Sequence, residues 1–328
     1  MLRIVYMGTP HFAVPALLAL IEQAAPGVAL PEGYEIASVI TRVDKPVGRG
    51  RAIVFSPVKQ AALDHNIAVW QPGSLKKPEN SAKLADLHAD LYIVAAFGQI
   101  LPQAVLDQPR YGTLNIHASL LPKYRGVSPI SEAILQGDAE TGVTIMLLDA
   151  GIDTGPMLAR RSIPIDEDDT TGSLTDKLAQ LGAKTLLKML PLWISGKITP
   201  RPQDASLASY THMLRKEDGI IAWQEPAALL ARKVRAYTPW PGAYTHWRGK
   251  LLKIISAQAS NQASGETVTP GTVYAPQEQG HKTLAVVTGN GALIIRQVQI
   301  EGKRAMSADE FLRGYAQIVG ETLGGVNQ

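Results

Sequence analysis

Residues 91–96 read Leu-Tyr-Ile-Val-Ala-Ala, an unbroken apolar run. A strand with one wet face alternates apolar and polar residues, so a run of this kind fits a central strand covered on both faces. The surrounding segments repeat the theme. Arg3–Met7, Glu35–Thr41, Thr113–His117 and Val143–Leu148 read as further strands. Between them, Pro15–Ala25, Val58–His65 and Ser128–Leu135 carry helical patterns, and a longer one covers Thr171–Leu192. Strands alternating with helices predict an α/β domain built on a parallel sheet with helices on both faces.

The stretch ISGKITPRPQDASLASY is rich in Pro, Ser, Gly and charge and reads as a connector. This divides the chain into residues 1–200, a linker at 201–209 and a second domain at 210–328. In the latter, Pro226–Arg235 looks helical with Pro226 suited to a first turn. The runs Leu251–Ile255, Gly271–Tyr274, Leu284–Val287 and Ala292–Ile300 are short and β-like, separated by turn signals such as Thr288-Gly289-Asn290-Gly291. That spacing predicts a small β-barrel. A chain of 328 residues accommodates two such domains.

The sequence has no cysteine, which removes disulfides, thiolate catalysis and cysteine-ligated metals from consideration. No signal peptide and no apolar stretch of membrane-spanning length is apparent, so a cytoplasmic protein without a membrane partner is expected. Net charge is only +3, but it is unevenly spread. Residues 208–328 hold 13 Lys and Arg against 9 Asp and Glu, and the preceding residues hold 19 against 20. A basic module beside a neutral one suits a polyanionic partner.

Four segments carry chemistry. In GTLNIHASLLPKYRG, Asn115 and His117 stand two apart on a predicted strand and share a face near its C-terminal end. Ligands bind at that edge of an open parallel sheet. Buried polar groups need partners, so the pair belongs either to a structural network or to a site. In LLDAGIDTGPML, a strand runs into a Gly-rich loop holding Asp149 and Asp153, with Gly151 and Gly155 granting unusual backbone conformations. If the two strands are neighbours, Asp153 sits beside His117 at the same sheet edge. A carboxylate there favours the protonated imidazole. An Asn that donates to a carbonyl oxygen, a His that handles a proton and an Asp that orients it make an acyl-transfer site.

Gly8-Thr9-Pro10 after the first strand is not a G-x-G-x-x-G fingerprint, which weighs against a nicotinamide oxidoreductase. In Thr41–Phe55, Arg42, Lys45, Arg49 and Arg51 face Asp44 as the lone acidic residue, and Pro46, Gly48 and Gly50 argue against a regular element. A basic loop of this kind can reach a phosphate backbone. In ARKVRAYTPWPGAYTHWRGK, Arg232, Lys233, Arg235 and Arg248 interleave with Tyr237, Trp240, Tyr244 and Trp247, a mixture that suits nucleic acid. The remaining histidines show no metal-ligand spacing, and no metal is expected.

Taken together, these segments resemble the methionyl-tRNA formyltransferases. The resemblance covers NIHASLLPKYRG, AETGVTIMLLDAGIDTG, GTPHFAVPAL, RVDKPVGRG and SPVK, and continues through AAFGQILP, DKLAQLG, SYTHMLRKEDGIIAW, RAYTPWPGA and PGTV to KRAMSADEFL. It implies a Rossmann-like formyltransferase domain followed by a C-terminal β-barrel of OB type. It implies 10-formyltetrahydrofolate as cosubstrate and initiator methionyl-tRNA as partner; separately, a two-lobed monomer is expected. The catalytic positions carry over to Asn115, His117 and Asp153. Folate contacts carry over to Ser119, Leu120, Leu121 and Pro122, with Phe97, Gly98, Ile100 and Leu101 walling the pterin. The tRNA wedge carries over to Thr41–Phe55, with Arg49 against the acceptor stem. His11 stands where the family commonly has Asp, and GVSPISEAI replaces a GAAPIQ-like run. The alternatives are a related enzyme formylating a sugar-nucleotide amine or a purine precursor, a formyltetrahydrofolate hydrolase, and a non-catalytic RNA-binding protein on the same fold.

Overall fold

A computed structural model describes residues 1–27, 30, 32–47, 52–261, 269–278 and 281–324. The chain forms two compact units. The first comprises Met1–Pro129, Glu140–Pro164 and Thr175–Thr211; the second comprises Ile130–Ala139, Ile165–Leu174 and His212–Gln328.

The strands of the first unit are β1 (Leu2–Gly8), β2 (Tyr34–Ile40), β3 (Lys45–Val47), β4 (Ala52–Val54), β5 (Val69–Trp70), β6 (Leu91–Ala95), β7 (Thr113–His117), β8 (Arg125–Gly126), β9 (Glu140–Leu147), β10 (Met157–Pro164) and β11 (Tyr210–Thr211). Seven of them form one sheet in the order β10-β9-β7-β6-β1-β2-β5. β6, the first five residues of the apolar run, lies near its middle with every residue buried, flanked by β1 and β7, and Ala96 beyond it is exposed. Each large aliphatic side chain buried there contributes about 1.5–3 kcal/mol.

The sheet is parallel from β5 through β7. At the other edge the parallel sheet is extended by two antiparallel strands. β9 runs antiparallel to β7, and β10 antiparallel to β9. Central residues of β9 are buried on both faces, so its composition reads the same in either direction. The segment Thr41–Phe55 departs from expectation, because β3 and β4 pair as a short antiparallel hairpin, Lys45 opposite Val54 and Val47 opposite Ala52. Pro46 is compatible with this because a two-stranded hairpin is all edge.

On β7, successive side chains alternate faces. Ile116 lies on the face opposite Asn115 and His117. A Cβ on Gly182, in the helix Thr171–Ile194, would come within 2.8 Å of Ile116 Cγ2. The helix therefore packs hard against the back of the strand that bears the Asn–His pair.

The second unit is an antiparallel sheet in the order Ala243–Trp247, Lys250–Ser260, Ala292–Ile300, Leu284–Val287 and Val273–Tyr274. Register shifts between Ile254 and Ala257 bend the longest strand. Its two outer strands do not pair with each other among the described residues, so the expected barrel is present as an open, curled half-barrel. Its core includes Trp223, Leu230, Val234, Trp247, Val298 and Phe311. The helix Ala227–Ala236 supplies two of these residues.

Candidate active site

Asn115 and His117 are 9% and 5% exposed, on the last turn of chain before β7 gives way to residues 118–126. This connection is held tightly. Thr144 of β9, opposite His117, donates from Oγ1 to the Ser119 carbonyl at 2.7 Å and accepts from the Leu121 N–H at 3.1 Å. Ser119 Oγ donates to the Lys123 carbonyl at 2.6 Å, and Arg160 Nη1 to the Leu121 carbonyl at 3.0 Å. The turn brings the Tyr124 carbonyl to 2.9 Å from His117 Nε2. A carbonyl only accepts, so Nε2 bears a hydrogen, and Nδ1 is the nitrogen turned toward Asp153.

Asp153 arrives by a route that the sequence did not suggest. Because β9 is antiparallel, its last residue, Leu147, lies opposite Leu114 at the far end of β7. The Leu148 N–H there donates to the Thr113 carbonyl at 2.8 Å. The loop must then fold back about 10 Å, three residues of strand, to meet His117. It does so as a closed excursion, with the Leu147 N–H on the Pro156 carbonyl at 3.0 Å. Asp149 Oδ1 accepts from the Gly151 N–H at 3.1 Å and from Thr154 Oγ1 at 2.7 Å. The two glycines supply space rather than unusual φ. A Cβ on Gly155 would meet the Leu147 carbonyl oxygen at 1.9 Å, and one on Gly151 would meet Thr154 Oγ1 at 2.0 Å. The unusual φ belongs to Asp153 itself, at +51°.

The carboxylate so placed has three neighbours. Its Oδ1 is 3.4 Å from Asn115 Nδ2. Its Oδ2 accepts from the Gly126 N–H at 2.8 Å and stands 3.5 Å from His117 Nδ1. The three residues singled out in the sequence are thus brought together. Arg125, Gly126 and Gln203 were not singled out. Arg125 is 4% exposed, and Gln203, in the expected linker, donates to the Asp153 and Gly155 carbonyls at 2.7 and 2.8 Å. No sequence signal marks a side chain whose partners are backbone carbonyls of a distant loop.

The chain segments leaving β1, β2, β6 and β7 gather at the same sheet edge. Phe97 and Leu101 are buried, and the Phe97 carbonyl accepts from Thr9 Oγ1 at 3.0 Å. Gly98 has φ +77°, and a Cβ on it would stand 3.3 Å from the Arg42 side chain, so Arg42 lies against this segment. Ile100 is 68% exposed. Of the folate positions after β7, Ser119 and Leu121 are buried, while Leu120 and Pro122 are partly exposed.

The basic residues divide differently. Arg49, Arg51 and the Lys45 side chain lie outside the described residues. The legs of their hairpin are anchored by Lys59, which donates to Asp44 and to Gln71 Oε1 (2.9 Å) and lies 3.9 Å over the Phe55 ring. The hydrogen bond from Lys59 holds the Asp44 carboxyl below the usual carboxylate range. In the second unit, Arg232 Nε donates to the Leu135 carbonyl and Arg235 Nη1 to the Asp169 carbonyl, both at 2.9 Å. Lys233 stands 3.8 Å from Glu225. Burial lowers the Arg235 pKa below its ordinary value, with the neighbouring Arg232 adding to the effect. Arg248 pairs with Glu321 and is the more exposed of these cations. His11 lies 3.7 Å from Asp176. Among the described residues no cluster of His, Asp and Glu has the makings of a metal site, and no helix is long and apolar enough to cross a membrane.

The formyl transferase family model matches residues 2–190, and the model of the formyl transferase C-terminal domain matches residues 213–316. The methionyl-tRNA formyltransferase of Geobacter sulfurreducens is 44% identical over 98% of this chain and 97% of its own length. That of Roseiflexus castenholzii is 47% identical over 99% of each. The chain belongs to the methionyl-tRNA formyltransferase family. Solved structures at lower identity share its fold. An N-formyltransferase from Helicobacter canadensis, in complex with folinic acid and dTDP-3-aminofucose, matches 90% of this chain and 98% of its own with a TM-score of 0.64 at 20% identity. HypX from Aquifex aeolicus, in complex with tetrahydrofolic acid, matches 97% of this chain with 48% of its own, at a TM-score of 0.60 and 19% identity.

Proposed function

We propose that this chain transfers the formyl group of 10-formyltetrahydrofolate to the α-amine of methionyl-tRNA, with Asn115, His117 and Asp153 as its catalytic centre. The observation that carries the reading is the Asp153 carboxylate set between Asn115 Nδ2 and His117 Nδ1 at the C-terminal end of β7. The amine lone pair forms the new N–C bond to the formyl carbon, and the carbonyl electron pair moves onto oxygen. Asn115 Nδ2 carries two hydrogens, one directed at Asp153 and a second that can be given to that oxyanion. His117 joins it by turning Nε2 from the Tyr124 carbonyl to the oxyanion. The oxyanion then collapses, the bond from carbon to N10 breaks, and N10 takes a proton while the former amine loses one. Asp153 orients His117 and assists that exchange.

The folate is held by Ser119, Leu120, Leu121 and Pro122 on one side and by Phe97, Gly98, Ile100 and Leu101 on the other. Both segments leave parallel strands at the edge where such sheets take ligands. Arg42, Lys45, Arg49 and Arg51 contact the tRNA acceptor end, and Arg248 adds charge from the second unit. Arg232, Lys233 and Arg235 contribute chiefly by fixing the local structure through the partners named above. The reading is supported by the names of full-length relatives and by folates in two fold relatives.

The test is to incubate the purified protein with 10-formyltetrahydrofolate and charged initiator or elongator methionyl-tRNA, and to weigh the released aminoacyl group. N-formylmethionine from the initiator tRNA is expected. Formate release without formylation would instead identify a hydrolase, and no reaction with either tRNA would overturn the assignment.

A further inference from the structure

Gln203 lies in the polar, Pro-containing stretch after the long helix, yet its amide is fully engaged. Nε2 has two hydrogens and gives both to backbone carbonyls of one loop, Asp153 at 2.7 Å and Gly155 at 2.8 Å. Oε1 has two lone pairs and receives two hydrogens from one guanidinium, Arg125 Nε at 3.0 Å and Nη2 at 2.8 Å. An amide has no further bonding capacity. Its orientation is also determined, because the flipped amide would set oxygen against two carbonyls and nitrogen against a cation.

Arg125 is buried, and a buried guanidinium must be paired. Besides Gln203 it donates from Nη1 to Tyr210 Oη at 3.0 Å, and its N–H donates to the Ser209 carbonyl at 2.8 Å. The next residue, Gly126, gives its N–H to Asp153 Oδ2 at 2.8 Å. Asp153 is therefore gripped twice from the same strand, β8. Gly126 takes the carboxylate directly, and Arg125 takes the backbone carbonyl through Gln203. The flanking backbone agrees, since Arg201 and Met157 exchange both hydrogen bonds, at 2.8 and 2.9 Å.

We propose that Gln203 is a positioning residue for the Asp153 carboxylate, setting its distance from His117. This rests on the formyl-transfer reading above. Only an amide provides the required two donors and two acceptors at this length. In Gln203→Glu the carboxylate keeps the guanidinium of Arg125 but turns an acceptor onto two carbonyls at under 3 Å. The buried guanidinium keeps an acceptor at this position while the loop is pushed away. Misplacement on the scale of 1 Å costs on the order of a hundredfold in rate.

The experiment measures kcat and both KM values for Gln203→Glu, Gln203→Ala and Asp204→Ala in the full chain, with the Gly126 amide proton resonance recorded in each. Among the described residues the Asp204 side chain bonds within its own turn, to Ser206, at 2.9 and 2.6 Å. The expected result for both Gln203 variants is a kcat lowered at least tenfold, KM values within twofold, and a Gly126 resonance moved upfield as its bond to Asp153 lengthens. Asp204→Ala should match wild type. Wild-type kcat in the Gln203 variants overturns the proposal. So does a lowered kcat with an unmoved Gly126 resonance, or an equal loss in Asp204→Ala. Should one Gln203 variant fail to fold, the other is read by the same criteria. If the wild-type chain does not formylate methionyl-tRNA, the functional reading fails, and the Gly126 resonance still decides whether Gln203 sets the Asp153 loop.

Discussion

Residues 148–156 and the segment Thr41–Phe55 each follow a strand of the seven-stranded sheet. The first is tied at nearly every turn, through Thr113, Pro156, Asp149, Gly126 and Gln203. The second is tied at its legs, where Lys59 and Gln71 hold Asp44, and Thr41 meets Ser56 at 2.8 Å. The difference matches what the proposed function asks of each. A carboxylate that orients an imidazole must be placed within about half an ångström. Cations that meet a phosphate backbone act through charge over distances near a Debye length, and their orientation matters less.

This contrast is open to direct attack. The largest effect is expected from Asp153→Asn, which sets an amide nitrogen or oxygen against groups arranged for a carboxylate. kcat should fall by about 10²–10⁴, the usual contribution of a positioned acid–base group, with KM for methionyl-tRNA little changed. A kcat within fivefold of wild type would remove Asp153 from the centre. Next is Gly155→Ala, whose Cβ would stand 1.9 Å from the Leu147 carbonyl oxygen, a backbone atom that cannot step aside. Steady-state kinetics should show kcat lowered roughly tenfold to a hundredfold, as for a displacement of about an ångström.

Lys59→Ala attacks the other segment. It should raise KM for methionyl-tRNA several-fold and leave kcat intact, and the loss should shrink as salt rises, because the contact is electrostatic. An effect on kcat alone would contradict the division of labour. The same pair has a pH signature. Lys59 holds the Asp44 carboxyl below its ordinary range, so its contribution to stability is complete above the unfolded value and lost as pH falls through the folded one. Acid unfolding of Lys59→Ala should therefore lose part of the steepness seen in the wild type below about pH 4. The smallest effect is expected from Gly182→Ala. The added carbon meets the end of Ile116 at 2.8 Å, which can yield, so calorimetry should show a loss of about 1–3 kcal/mol.

Much of the strand content of both units was legible because burial writes itself into composition. The runs at β6 and β7 follow from their apolar residues, and the bounds Thr113–His117, Leu284–Val287 and Ala292–Ile300 coincide with the observed strands. Strand direction was not legible, since the doubly buried residues of β9 are equally at home in parallel and antiparallel ladders. β10 was not anticipated either. It is an edge strand whose Arg160 and Arg161 look like connector residues in sequence. Within the site, Asn115 and His117 were readable from their two-residue spacing. The proximity of Asp153 was reached in the sequence through an assumed shared edge, whereas the chain achieves it by folding its loop back over β7. Gln203 could not be found this way, since the loop atoms it holds are main-chain carbonyls common to every residue, and Arg125 lies 78 residues away in sequence.

The closed loop between Leu147 and Met157 has one more consequence. Both ends are fastened, one to Pro156 and the other to Arg201, so the span has a set circumference. Segments leaving β1 and β2 start from the edge where Asn115 and His117 sit and can change length away from it. The Asp153 loop starts from the opposite edge and spends its length returning. An inserted or deleted residue there would change how far the return travels. Reshaping this protein toward another amine acceptor therefore has room in the segments after β1 and β2, whereas this loop can be exchanged only for one of equal length.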